Sequence, residues 1–120
     1  MEEIDAIQEA GAFRALADST RRQILEELRA GELPAGEIAA RFPISGPSVS
    51  RHLGVLKAAG LIRERREANR IFYSLAEERL ALCVSRFLSV VCPEQVVFRL
   101  HARRLTAGNQ EGQEGKESRA

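Results

Sequence analysis

The chain has 120 residues, of which 44% are apolar and 29% are charged, so its composition predicts one compact domain rather than two. Its net charge is +1, and its two cysteines are too few for a disulfide scaffold. The acidic N-terminus has no continuous apolar run, and no segment approaches the roughly 20 apolar residues of a membrane span. These features argue against a secretory signal and a membrane partner, so we expect a cytoplasmic protein.

Positive charge is concentrated in one part of the chain. Residues 41–75 hold seven basic and two acidic residues, a net charge of +5, so the rest of the chain sums to −4. A basic segment of this kind is typical of a surface that contacts nucleic-acid phosphates, although a solvated charged surface shows the same pattern. The distribution of charge therefore indicates a polyanionic partner more than the net charge does.

Two helices are predicted at the start of the chain. Apolar residues at helical spacing predict the first over residues 3–16. Asp18 is the predicted N-cap of a second helix over residues 19–30, and Gly31 is its predicted stop.

A third and a fourth helix are predicted on either side of a tight turn. The third covers residues 35–42 and ends before Pro43, which cannot continue it. Ser45 is the predicted N-cap of the fourth, whose apolar residues recur at the i, i+4, i+7 spacing of one buried face. Two helices joined by a short turn, the second with a polar outer side, are typical of a helix-turn-helix.

A β-hairpin is predicted directly after this pair of helices. Residues 61–66 and 70–75 are rich in β-branched or aromatic residues, and the apolar residues of the second run alternate onto one face. Asn69 is the residue that we expect to adopt a positive φ in the turn. A helix-turn-helix followed by such a hairpin is a winged helix.

A fifth helix is predicted over residues 77–91, with a wider apolar stripe than the core of so small a domain needs. Pro93 ends or kinks it, and a further short helix is predicted over residues 93–105. Residues 107–120 lack aromatic and β-branched side chains, so we expect a folded domain over residues 1–106 followed by a disordered polar tail.

Two runs of this sequence, ALADSTRRQILEEL and AGEIAARFPISGPSVSRHLGVLKAAGLIRERREANRIFYSL, closely resemble the ArsR/SmtB transcriptional repressors of prokaryotes. The family pattern includes a DPTRR-like start of the second helix and SxHLxxLxxAGLV after the turn. The sequence departs from it at Ser19, where proline is usual, and at Ala68 and Asn69, where the wing usually has glycine. Its third helix has no cysteine-bearing metal box, so it is most similar to the autorepressor branch.

The resemblance implies a mainly α fold with a small β-hairpin: a winged helix-turn-helix of four helices, the hairpin and a fifth helix. It implies a homodimer that binds double-stranded DNA at an imperfect palindrome, occludes a promoter and represses its own operon. The dimer contacts expected on the first and last helices are Ile4, Ile7, Leu80, Val84, Phe87, Leu88 and Val91.

The candidate DNA contacts lie on the fourth helix and on the hairpin, which corresponds to the wing. On the helix they are Ser45, Gly46, Ser48, Ser50, Arg51, His52 and Lys57. On the wing they are Arg63, Arg65, Arg66, Asn69 and Arg70. We expect Ser48, Ser50 and Arg51 to read base edges, because hydroxyls donate or accept and arginine pairs bidentately with guanine. We expect two or three wing arginines to contact phosphates and the others to pair with Glu64 or Glu67. His52 is expected to be structural or to contact a phosphate.

Other classes of function have weaker support. The sequence shows no nucleophile with a partnered base and no phosphate-cradling loop, so we expect no catalytic residues, no cofactor and no enzyme. Cys83 and Cys92 are weak candidates for a metal site, and about 13 Å along a straight helix would separate them, too far for a disulfide. A redox- or metal(loid)-responsive repressor that uses these cysteines and a protein-interaction module remain alternatives. The sequence does not identify an inducer.

Overall fold

The computed structural model describes residues 5–96, 98–100 and 102–104. The chain divides into two compact units, Met1–Cys83 and Val84–Ala120. The elements, in chain order, are α1 (Ala6–Leu16), α2 (Ser19–Glu27), a short 3₁₀ turn (Leu28–Ala30), β1 (Leu33–Pro34), α3 (Ala35–Ala40), α4 (Gly46–Ala58), β2 (Ile62–Glu67), β3 (Arg70–Leu75) and α5 (Glu77–Val91). This order confirms the predicted mainly helical fold with a small sheet, and the boundary between the two units lies within α5.

Side-chain caps fix the starts of the first two helices. The Asp5 carboxylate accepts a hydrogen bond from the Gln8 backbone N–H at 2.7 Å, so α1 begins at Ala6 rather than at residue 3. Asp18 caps α2 as predicted by accepting the Arg21 N–H at 3.1 Å. Gly31, with a φ of 147°, ends the 3₁₀ turn that follows α2, which confirms its predicted role as a stop.

The helix-turn-helix consists of α3 and α4. Helix α3 ends at Ala40, two residues earlier than predicted, because Pro43 disfavours helical geometry at Phe42. The Ser45 hydroxyl accepts the Ser48 N–H at 3.2 Å and starts α4 as predicted. The predicted buried face of α4 is confirmed, since its buried residues are Val49, Leu53 and Leu56.

The sheet has one strand more than the predicted hairpin. Its order is β1-β3-β2, all antiparallel, with Leu33 opposite Tyr73 and Pro34 opposite Phe72. Strand β1 has only two residues, too few to show an alternating pattern, so only its pairing with β3 identifies it.

The turn of the wing differs from its prediction. Glu67 pairs with Arg70, so Ala68 and Asn69 form a two-residue loop. Ala68, not Asn69, has the positive φ, at 55°. The register of the strands decides this, because it places the strained backbone at the first position of the loop whatever side chain stands there.

The core of the first unit is apolar throughout. None of its buried residues among those described is polar or charged. The most buried members come from every helix, from the 3₁₀ turn and from the sheet: Ala12, Ala15, Ile24, Leu28, Ile38, Val49, Leu56, Leu61 just before β2, Ile62 of β2 and Cys83. This single core holds α4 and the hairpin in a fixed relation.

The second unit contains the end of α5 and the residues after it. Residues 94–96, 98–100 and 102–104 are helical, so the helix predicted after Pro93 is present where the structure describes it. The predicted tail, residues 107–120, lies outside the described residues, as does the predicted dimer residue Ile4. Among the described residues, no helix is long and apolar enough to cross a membrane.

Candidate nucleic-acid interface

The outer side of α4 presents short polar and cationic side chains. Ser50, Arg51 and Lys57 are exposed, and Ser48 is half-buried. The buried face of the same helix is fixed in the core, so these side chains cannot rotate inward without unpacking Leu53 and its neighbours. An α-helix of this kind, about 10–12 Å across, fits a groove of comparable width in duplex DNA.

One hydroxyl at the start of α4 caps the helix. The Ser45 hydroxyl donates to the Ser48 hydroxyl oxygen at 2.9 Å and also accepts the Ser48 N–H. Ser45 is therefore occupied as the helix cap, whereas the Ser48 hydroxyl keeps its own proton for donation. Gly46 is exposed in the first turn, where Pro47 has no N–H and the Ser48 N–H is bonded to Ser45, so the Gly46 N–H is the group of this turn that could meet an anion.

Cations on the interface fall into two classes, and the first class is paired with carboxylates. Glu64 accepts hydrogen bonds from Lys57 Nζ at 3.0 Å and from Arg66 Nε at 3.2 Å. The bond from Lys57, followed by that from Arg66, holds the pKa of the Glu64 carboxyl below its usual value. Since Lys57 lies on α4 and Glu64 on β2, this pair links α4 to the wing.

Arg65 belongs to the same class but is paired differently. It donates to Glu32 at 2.7 Å and to Glu67 at 2.7 Å, and its guanidinium lies 4.5 Å from the centre of the Phe72 ring. The bond from Arg65 lowers the pKa of Glu32. Sequence reasoning expected the Glu64 and Glu67 pairs but missed Glu32, which stands just before β1 and reaches Arg65 only because β1 joins the sheet.

The second class has no carboxylate partner in the described part of the chain and consists of Arg51, Arg63 and Arg70. Arg51 is exposed on α4, and Arg63 is exposed on the outer face of β2. Arg70 lies 5.1 Å from the centre of the Phe72 ring at the end of the wing, where Asn69 is also exposed. These three guanidiniums can bind an external anion without first breaking an internal ion pair.

The two arginines of the TRR run join α2 to the end of α1. Arg21 Nε donates to the Ala15 carbonyl at 2.7 Å, and Arg22 Nη1 donates to the Leu16 carbonyl at 2.7 Å. These bonds satisfy carbonyls at the C-terminal end of α1 that have no partner within the helix. Arg21 also contacts His52 on α4. The sequence analysis missed this role, and the signal was a pair of arginines three and four residues after the cap that follows a helix end.

The predicted dimer residues differ in how far they are available to a partner. Ile7 is 84% exposed on α1, and Val91 is 62% exposed on α5. Leu80 is half-buried and packs on the core of its own subunit. Val84 and Leu88 are half-buried, and Phe87 is 44% exposed. Val90, which the sequence analysis did not select, is 74% exposed.

The two cysteines have different environments. Cys83 is buried in the core, and this burial raises the pKa of its thiol. Cys92 is partly exposed at the end of α5. In the described residues, no three His, Cys, Asp or Glu side chains lie close enough together to hold a metal ion. A buried, protonated Cys83 gives no support to a thiol sensor built on this residue.

Comparison with known proteins places the chain within a family. A helix-turn-helix domain model matches residues 16–65. The chain is 49% identical to the transcriptional repressor SdpR of Bacillus subtilis over 63 residues, which are 52% of this chain and 70% of the relative. It is 37% identical to the biofilm growth-associated repressor of Agrobacterium fabrum over 91 residues, 75% of this chain and 78% of the relative.

Solved structures give the same result. An ArsR-like transcriptional regulator from Rhodococcus sp. RHA1 superposes with a TM-score of 0.62 at 31% sequence identity, and the match covers 87% of this chain and 92% of that one. The matched domain contains α4 and most of β2, the elements that present the unpaired Arg51 and Arg63.

Proposed function

Since the chain belongs to the ArsR/SmtB family of helix-turn-helix transcriptional regulators, which bind DNA and are not enzymes, we propose that it is a homodimeric repressor of its own operon. It acts in the cytoplasm on an imperfect palindrome that overlaps the promoter. The observation that carries this proposal is the set of exposed guanidiniums that have no carboxylate partner in the described residues, Arg51 on α4 and Arg63 and Arg70 on the wing, together with the exposed Ser50 hydroxyl on α4.

Helix α4 enters the major groove and reads bases with its exposed side. Arg51 pairs bidentately with a guanine, and the Ser48 and Ser50 hydroxyls contact neighbouring bases, each good bidentate pair being worth about 1–3 kcal/mol of discrimination. The Gly46 backbone N–H, at the start of α4, contacts a phosphate. Lys57 lies at the far end of the helix, where Glu64 competes with the DNA phosphates for its ammonium group.

The wing supplies affinity more than base preference. Arg63 and Arg70 contact phosphates first, because neither has a carboxylate partner among the residues that the structure describes, and Asn69 lies between the strands at the tip. Arg65 and Arg66 contribute less, because their carboxylate partners compete with the DNA phosphates.

The dimer forms through α1 and α5 of each subunit. Ile7 on α1 and Val90 and Val91 on α5 are large apolar side chains that are more than half exposed in the single chain. Burial of such surface is the main driving force of association. Two-fold symmetry then places the two α4 helices about 34 Å apart, which sets the spacing of the half-sites at about one turn of DNA.

Selection of bound duplexes from a random pool, followed by footprinting on the upstream region of its own operon, tests this proposal. We expect an inverted repeat with half-sites about one helical turn apart, protected within the promoter. Enrichment of unrelated sequences with no repeat, or binding that does not weaken as salt rises, would contradict it.

A further inference from the structure

Arg21 connects three helices through one guanidinium. Its Nε donates to the Ala15 carbonyl at 2.7 Å and its Nη2 donates to the Arg14 carbonyl at 3.0 Å, both at the end of α1. Its Nη1 lies 3.3 Å from His52 Nδ1 on α4. Its own backbone N–H is held by Asp18 at the start of α2. Two carbonyls at the end of α1 therefore fix the guanidinium, and the Asp18 cap fixes the backbone that carries it.

This contact determines which ring nitrogen of His52 carries the proton. An arginine can only donate hydrogen bonds, so Nδ1 must accept and has no proton of its own. The neutral ring then carries its proton on Nε2. Asp18 Oδ1, the nearest carboxylate, is 4.0 Å from Nδ1, beyond hydrogen-bond distance, whereas Arg21 is within it. A proton on Nδ1 would point an N–H at a guanidinium N–H, so the shorter contact decides the tautomer.

The second ring nitrogen is open to solvent. His52 Nε2 has no hydrogen-bond partner in the described part of the chain, and the one buried side-chain nitrogen there without a partner is Arg79 Nε. The His52 side chain is 21% exposed and stands between the exposed Arg51 and the buried Leu53, at the edge of the buried face of α4. The Nδ1 edge of the ring therefore faces Arg21, and part of the ring remains accessible to solvent.

We propose that Arg21 acts as a positioning residue, holding His52 so that its Nε2–H donates to a hydrogen-bond acceptor on the DNA. This inference rests on the proposed function. The acceptor is a phosphate oxygen or a base edge. The Arg21–His52 contact also connects the end of α1, a helix that we expect in the dimer interface, to α4.

Two substitutions of His52 test the roles of Nδ1 and Nε2 separately. His52→Asn keeps an acceptor at the position of Nδ1 but removes the donor at Nε2. His52→Gln places an amide near Nε2 but has no acceptor for Arg21. We therefore expect His52→Asn to keep the wild-type Tm and to bind operator DNA about 2- to 12-fold more weakly, the effect of one neutral hydrogen bond. His52→Gln should have a lower Tm and bind more tightly than His52→Asn.

The test depends on the two variants ranking in opposite orders: His52→Asn should have the higher Tm, and His52→Gln should have the higher affinity for DNA. If affinity follows Tm in both variants, or if His52→Asn binds as tightly as the wild type, the inference is overturned and His52 has only a structural role. Equal weakening on the operator and on unrelated duplexes assigns the acceptor to a phosphate, whereas weakening on the operator alone assigns it to a base. A wild-type protein that binds no duplex would overturn the proposed function together with this inference.

The tautomer can also be measured without DNA. Long-range ¹⁵N–¹H spectra of the full chain, recorded on the neutral form of the ring, should show His52 with an unprotonated Nδ1 and a protonated Nε2. The signals are assigned by their disappearance in His52→Asn. A proton on Nδ1 would overturn the inference even if every DNA measurement agreed with it.

Discussion

Removing the charge of Glu64 should make the protein bind DNA more tightly. Glu64 holds Lys57 Nζ at 3.0 Å and Arg66 Nε at 3.2 Å, so it neutralises two cations at the junction of α4 and the wing. Glu64→Gln removes the negative charge but keeps an oxygen that can accept from the Tyr73 hydroxyl, now 3.4 Å away. Both cations then become available to phosphates.

The salt dependence of binding gives the size of this effect. Each cation that neutralises a phosphate adds about −0.9 to the slope of log K against log salt concentration. Release of Lys57 and Arg66 should therefore make the slope of Glu64→Gln steeper than that of the wild type by up to about 1.8. The gain in affinity should be largest at low salt and should shrink as salt rises.

Glu67→Gln is the matched control, because it removes the same charge from the same strand. Glu67 pairs with Arg65, which Glu32 also holds at 2.7 Å, so the substitution frees no cation completely. Fluorescence anisotropy titrations of both variants on one operator duplex, between about 0.05 and 0.2 M salt, make the comparison. Equal slopes of log K against log salt concentration for the two variants would refute the idea that pairing with Glu64 keeps Lys57 and Arg66 from contacting phosphates.

Three further outcomes follow from the structure. Ala68→Gly should raise the free energy of unfolding, measured by urea titration, by about 0.5–1 kcal/mol. A non-glycine residue in the left-handed region costs roughly 1–2 kcal/mol, and the greater unfolded-state entropy of glycine offsets part of the gain from removing this cost. Asn69→Gly should not stabilise the protein, and equal gains in the two variants would contradict the assignment of Ala68 as the strained residue. The pKa of Glu64 is lowered below 4.5 in the folded state, so the ionised carboxylate stabilises the fold above that pH and this stabilisation is lost as the pH falls through the lowered value. The urea midpoints at pH 7 and pH 3 should therefore differ less in Glu64→Gln than in the wild type. An unchanged difference would contradict a stabilising role of the Glu64 charge. Burial raises the pKa of the Cys83 thiol, so iodoacetamide followed by mass spectrometry should label Cys92 well before Cys83 in the folded protein and both together in urea, and early labelling of Cys83 would contradict its place in the core.

Local signals in the sequence were sufficient to predict most of the fold. Asp18, Gly31 and Ser45 mark helix ends through bonds or backbone angles within a few residues of themselves, and the structure has these ends where they were predicted. The buried face of α4 follows from helical spacing alone.

Features that depend on distant partners were missed. Strand β1 exists only through pairing with β3, almost forty positions later in the sequence. The bond between Arg65 and Glu32 spans 33 positions and needs that same pairing. Arg21 was interpreted as part of a family pattern, and its contact with His52, 31 positions away, becomes visible only when α2 packs on α4. Sequence reasoning therefore found the elements of the interface but not which of its cations are already paired.

The base preference of two single-arginine variants tests the central claim most directly. Arg51 on α4 and Arg63 on the wing are both exposed and both without a carboxylate partner in the described residues, so each substitution by alanine removes one free cation. Binding should be measured to a panel of operator duplexes with each base pair changed in turn. Arg51→Ala should abolish the preference at one base pair in each half-site, worth about 1–3 kcal/mol, whereas Arg63→Ala should weaken binding to all duplexes alike. Loss of base preference in Arg63→Ala together with an unchanged preference in Arg51→Ala would contradict the assignment of α4 as the helix that reads the DNA.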